Sequence, residues 1–192
     1  MSTERDRYFI AIIPPSPYVE QALEFKNYFK DRYQSKASLN SPPHITLHMP
    51  FEWTASDEDG LVEALQVFLS NTSSVKIDLD SFGCFAPRVI FIQIISTPEL
   101  ASLQHQLRQF CKQKLGLFNA DYKDLPFHPH ITLAFRDLKK PAFAEAWAVF
   151  KDKKFEGEFS ADRICLMKYE ERKWNVFKEF QLTPVNLVVA KS

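Results

Sequence analysis

"SPPHITLHMPF", residues 41–51, and "FHPHITLAF", residues 127–135, share the run His-Ile-Thr-Leu. Alternate side chains of a β-strand lie on one face. His44, Thr46 and His48 are therefore expected on one face of the first run, with Ile45, Leu47 and Met49 packed behind. In the second run His128, His130, Thr132 and Ala134 share a face, and Ile131, Leu133 and Phe135 turn to the core. Each copy then offers an imidazole and a hydroxyl ~6–7 Å apart along the strand. Seven threonines in 192 residues make two His-x-Thr hits among five histidines a chance event on the order of one per cent.

The surroundings of the two runs also correspond. "YFIAIIPPSPYVEQALEFKNYF" (8–29) is a short β-like run broken by Pro14 and Pro15, then a helix with Ser16 as N-cap and Pro17 at its first position. "VIFIQIISTPELASLQHQLRQF" (89–110) repeats that order, with Thr97 and Pro98 in the places of Ser16 and Pro17. Leu100, Leu103, Leu107 and Phe110 fall at helical spacing. After each His-Ile-Thr-Leu run comes another helical stretch, "DEDGLVEALQVFLS" (57–70) or "PAFAEAWAVFKD" (141–152), and then a strand-like segment, "VKIDLDSFG" (75–83) or "FSADRICLMKYE" (159–170). The final "WNVFKEFQL" (174–182) is expected to pair with the latter as a hairpin across Glu171-Arg172-Lys173.

The order β-α-β-α-β thus occurs twice, which reads as an internal duplication within one α+β domain spanning residues 1–192. The repeats are roughly 1–83 and 84–192, in an arrangement that admits exchange of terminal strands. Related halves pack about a pseudo-two-fold axis, as subunits of a symmetric dimer do. The two histidine strands would then meet along one groove.

Two imidazoles and two hydroxyls across a groove suit a phosphodiester. One neutral imidazole can take a proton from water, and the other, protonated, can deliver one to the departing oxygen. Histidine serves both roles because its unperturbed pKa lies near ~6.5. Threonine hydroxyls can donate to the non-bridging oxygens. This chemistry calls for no metal and no cofactor.

Composition sets the outer bounds. Hydrophobic residues at 45% and charged residues at 25% are those of an ordinary globular chain. With four glycines and no Gly-rich motif, a P-loop or dinucleotide turn is excluded. A net charge of zero gives no global field toward long nucleic acid or an anionic membrane. Cys84, Cys111 and Cys165 lack metal-type spacing and read as buried residues. No stretch has the length of a signal peptide's apolar core or a membrane span, so the cytoplasm is the expected compartment. No protein partner is legible.

Paired His-hydrophobic-Thr motifs in the two halves of a chain this long resemble the two-histidine (2H) phosphoesterase superfamily. That superfamily includes 2′-5′ RNA ligase-like proteins and RNA 2′,3′-cyclic phosphodiesterases. The resemblance implies a bilobal fold with two antiparallel sheets flanking a central, water-filled cleft. It implies His44 and His130 as the acid/base pair and Thr46 and Thr132 as phosphate ligands. It implies an RNA 3′ end or a small cyclic nucleotide as substrate. Many members carry a basic residue directly after the second motif. This chain has Phe135 there, with Arg136 one place later, an offset that reverses side-chain direction unless a bulge restores it.

Arg136, His48, His128 and Tyr169 are further candidates for substrate contact, and Tyr122 and Phe127 for stacking on a base. His105 reads as a surface residue of its helix. A histidine-triad hydrolase motif would need a third histidine where Thr132 stands. A metal site fits poorly, because His44 and His48 stand ~13 Å apart on a strand. The alternatives to hydrolysis are 2′-5′ ligation and a non-catalytic nucleotide or phospho-ligand binder.

Overall fold

The computed structural model describes residues 4–118 and 126–184; Tyr122 lies outside them. The first half contributes β1 (Arg5–Ile12), α1 (Tyr18–Tyr33), β2 (Ile45–Thr54), α2 (Glu58–Leu69) and β3 (Val75–Phe85). The second contributes β4 (Val89–Ile94), α3 (Pro98–Leu115), β5 (His130–Ala134), α4 (Lys140–Phe150), β6 (Glu156–Ala161), β7 (Arg163–Glu170) and β8 (Lys173–Gln181). The expected α+β class and repeated element order are both found.

The strands form one eight-stranded sheet in the order β6-β3-β4-β5-β2-β1-β7-β8, with antiparallel pairing throughout. The two expected antiparallel sheets are its four-stranded halves, β6-β3-β4-β5 and β2-β1-β7-β8. They join at a single paired position, Ile45 opposite Ile131. Around that joint β2 and β5 are free to splay, and a cleft opens where both histidine motifs begin.

The expected strand "FSADRICLMKYE" is in fact parts of two strands. β6 ends at Ala161 and β7 begins at Arg163, yet the two lie in opposite halves of the sheet. One linking residue, Asp162, spans at most ~7 Å between its neighbours' Cα atoms. The sheet must therefore curl until its β6 edge approaches β7. Leu182 N–H donates to the Asp162 carbonyl at 2.7 Å and reinforces that corner. The β7–β8 hairpin turns at Glu171 and Arg172, both with positive φ, as a two-residue turn with the sheet's own twist requires.

Helices cover one face of the sheet. Alternation along β1 sends Tyr8, Ile10 and Ile12 into that core and leaves Phe9 and Ala11 on the other face. Along β4, Ile90, Ile92 and Ile94 do the same, and Phe91 stays opposite. Thr97 caps α3, its Oγ1 accepting from Leu100 N–H at 3.2 Å. The corresponding cap fails in the first half: α1 starts one residue after Pro17, and Ser16 Oγ donates to Glu20 instead, at 2.5 Å.

Candidate active site

His44 immediately precedes β2 and His130 opens β5. Ile45 and Ile131 point into the helix-covered core, so the residues flanking them face the cleft. The single antiparallel pair Ile45–Ile131 sets the two motifs side by side, running in opposite directions.

The two rings are held alike. His44 Nδ1 lies 2.7 Å from the Pro42 carbonyl, and His130 Nδ1 lies 2.8 Å from the His128 carbonyl. A carbonyl can only accept, so both Nδ1 atoms carry hydrogen and each Nε2 is left for chemistry. Phe9 packs on His44 and Phe91 on His130, each with ring centroids 4.8 Å apart. Trp174 meets the Phe9 ring and Phe85 meets the Phe91 ring, at 4.7 and 4.6 Å. Burial pushes the His44 imidazolium down to about 4; the Pro42 carbonyl opposes that, and the nearby charges of Lys26 and His130 add to it. Burial also lowers His130, with His128 adding to the effect and the His128 carbonyl opposing it.

A cavity of about 480 Å³ opens at this point. Its walls include His44, Thr46, Thr132, Phe135, Arg136 and Tyr169 of the expected residues, together with Arg7, Lys26 and Trp174. Three cations and, among the described residues, no carboxylate line it, an arrangement that favours an anion. His130 is half-buried and is not itself a wall of this cavity. Among the described residues no group of three or more His, Cys, Asp or Glu side chains is gathered as a metal site.

Several expectations need correction. Met49 is 52% exposed and lines the cavity, whereas His48 is buried, its ring 5.4 Å from that of Phe51. The cause is a pair of register shifts between β1 and β2: Ala11 faces Thr46, but Ile10 faces His48 and Tyr8 faces Phe51. Each shift adds a residue to β2, so Leu47 and His48 turn inward consecutively. Gln104 of α3 donates to the Leu47 carbonyl at 3.2 Å within this irregularity.

Phe135 does not enter the core. β5 stops at Ala134, and the chain turns through Arg136 at φ 23°, which brings Phe135 and Arg136 both to the cavity wall. His128 is exposed and off the cavity; its ring lies 5.1 Å from Phe85, and its carbonyl orients His130. Phe127 packs partly against the core, and His105 is exposed. Tyr169 is at the cavity wall beneath Arg7, whose guanidinium carbon sits 3.9 Å from the ring centroid.

Sequence reasoning passed over Phe9, Phe91, Arg7, Lys26 and Asp137. Asp137 clamps the loop leading to His44: its carboxylate accepts from Ser35 Oγ at 2.7 Å and from the Lys36 and Ala37 amides at 2.8 Å. Ser38 Oγ donates to the Leu133 carbonyl at 2.6 Å, so the same loop is tied to the second motif's strand. Phe9 and Phe91 did leave a signal, since each lies in the apolar run ahead of a helix start, seven residues before Ser16 and six before Thr97.

The curled sheet with its paired His-x-Thr strands defines a two-histidine phosphoesterase fold. The chain belongs to the 2′-5′ RNA ligase superfamily, whose sequence profile matches residues 14–173. A Geobacillus kaustophilus (strain HTA426) protein named "Putative phosphoesterase GK0864" is 30% identical over 177 residues, 91% of this chain and 95% of that one. A Bacillus cytotoxicus protein with the same kind of name is 29% identical over 174 residues, 89% of this chain and 94% of its own. Among solved structures, TT0787 of Thermus thermophilus superposes with a TM-score of 0.69 at 20% identity, covering 93% of this chain and 99% of that one. Apo LigT of E. coli gives a TM-score of 0.68 at 22% identity, covering 94% and 99%. These structural likenesses speak for the fold. LigT has also been solved with 3′-AMP and with phosphate. No helix among the described residues is long and apolar enough to cross a membrane.

Proposed function

We propose that this phosphoesterase hydrolyses 2′,3′-cyclic phosphates, on RNA 3′ ends or small nucleotides, by acid–base catalysis between His44 and His130. The observation that carries the reading is the matched pinning of both Nδ1 atoms, which leaves two Nε2 atoms for proton transfer beside a cation-lined cavity. Water attacks phosphorus; one imidazole takes its proton as the new P–O bond forms. The other, an imidazolium, protonates the ribose oxygen as the old P–O bond breaks. The product is a phosphomonoester beside a free hydroxyl. Thr46 and Thr132 donate to the non-bridging oxygens, and Arg7 and Arg136 offset their charge. Tyr169 and Trp174 offer a face for the base, consistent with the nucleotide held by the related LigT. The cytoplasm is the proposed compartment.

The same cleft, with a ribose hydroxyl replacing water, would run the step as 2′-5′ ligation. Incubation with 2′,3′-cyclic AMP and with a short RNA ending in a cyclic phosphate tests the assignment, with EDTA present. Phosphorus NMR of the products should show a monoester. Joined strands would support ligation, and tight binding of both substrates without turnover would support a silent binder.

A further inference from the structure

The two histidines are pinned alike, but what lies behind them differs. Aligning Pro17 with Pro98 sets α1 on α3 with an offset of 81 residues, which places Lys26 on Leu107. Both positions are buried, Lys26 at 1% exposure and Leu107 at 0%. Where one half has an apolar side chain, the other has a cation.

Lys26 Nζ donates to the Ser38 carbonyl at 2.9 Å and to the Ser41 carbonyl at 3.0 Å. It has no carboxylate partner among the described residues, and burial brings its ammonium down to about 7. A buried, unpaired ammonium is costly, and apolar residues of similar volume are the stable alternative. What distinguishes this one is its place. It lines the cavity, and it holds the segment whose next carbonyl, that of Pro42, fixes His44.

We propose that Lys26 is a positioning residue that makes the two histidines unequal: added to the burial of His44, its charge favours the neutral ring there as the proton acceptor and leaves His130 to act as the donor. This rests on the phosphodiesterase reading above. The other charged or titratable groups facing His44 are His130 from β5, Arg7 from β1 and Arg136 after β5; Tyr169 of β7 stands at the same cavity. Among the described residues the charges at this cavity are all positive. The charges of Lys26 and His130 both act on His44, whereas His130 feels His128. With His44 neutral, it accepts the water proton, and the proton that His130 loses goes to the leaving oxygen.

NMR titration of the histidine rings in the full-length protein tests this without substrate. In the wild type His44 should titrate below His130. In Lys26→Gln, which keeps a donor for the two carbonyls, and in Lys26→Met, the His44 midpoint should rise by ~0.5 unit or more while that of His130 moves less. Alongside, kcat/KM should fall about 10–100-fold, with its acid limb shifted to higher pH. His130 titrating first in the wild type, or an unmoved His44 midpoint in either folded variant, would overturn the proposal. Full activity in His44→Ala would instead remove the phosphodiesterase reading, a result the ring titrations do not depend on.

Discussion

His44 Nδ1 lies 2.7 Å from the carbonyl oxygen of Pro42, two residues earlier in its own chain. The contact needs no partner from elsewhere in the fold, so the motif carries its own orienting group. His130 repeats it with His128. Neither imidazole depends on a buried carboxylate to set its tautomer, and among the described residues the cationic side chains of the cavity, Arg7, Lys26 and Arg136, face no carboxylate there.

Thr46 and Thr132 are half-buried on the cavity wall, and neither closes the helix-covered core. Replacing either with valine should cost about 1.5–3 kcal/mol in transition-state stabilisation, the worth of a hydrogen bond to a charged group. Steady-state kcat/KM reads the loss, and the thermal midpoint should hardly move. A large drop in thermal midpoint with intact specific activity would mean the hydroxyls are structural.

Both histidines bind protons less readily in the folded protein than in an unfolded chain. Burial is the first cause in each. Their contribution to stability is therefore complete above ~6.5, the unfolded imidazole value, and is lost as pH falls. For His44 the loss runs down to about 4. Calorimetry of wild type and His44→Gln between pH 7.5 and 4.5 should show the wild type losing stability faster, by on the order of 1–3 kcal/mol. Catalysis follows the same shifts: kcat/KM should peak on the acid side of neutrality and decline toward pH 8 as the donor deprotonates. A flat profile from pH 5 to 8 would contradict this pairing.

Tyr169 sits under Arg7 at one wall of the cavity, and Trp174 meets its ring at 5.0 Å. If this wall takes the base, Tyr169→Leu should raise KM by a factor that corresponds to ~1–3 kcal/mol and leave kcat nearly unchanged. Cyclic substrates lacking a base should not distinguish variant from wild type. An equal loss on both substrate types would place Tyr169 at the phosphate.

Gly83 lies opposite Phe91 in the β3–β4 pair, and a Cβ there would come within 2.7 Å of the Phe91 ring. That ring in turn packs on His130. Gly83→Ala should therefore push Phe91 against the histidine and lower kcat by at least ~10-fold, with the cost in stability typical of overpacking, about 1–3 kcal/mol. Pairing it with Phe91→Leu should return part of the activity. No rescue would mean that Phe91 does not transmit the change.

Much of this site was legible because it is built from local repeats. The His-Ile-Thr-Leu runs, the capped start of α3 at Pro98, and the alternation of Ile45 and Ile131 depend only on neighbours along the chain. What failed depends on strand pairing. Period-two counting put His48 in the cleft and Met49 in the core, and two bulges against β1 reversed them. The split of "FSADRICLMKYE" at Asp162 follows from the curl of the whole sheet, which no local pattern encodes. Lys26 was hidden for a different reason. On a helix it reads as one more charged residue, and only the packing of α1 against the loop before β2 shows it buried.

The most direct test of the account is turnover of 2′,3′-cyclic AMP by the wild type, His44→Ala and His130→Ala, in EDTA, with folding checked by circular dichroism. Each single variant should lose ~10²–10⁴-fold in rate while keeping its fold, the usual worth of one general acid or base. A wild type that turns over while either folded variant keeps full activity would contradict the two-histidine mechanism.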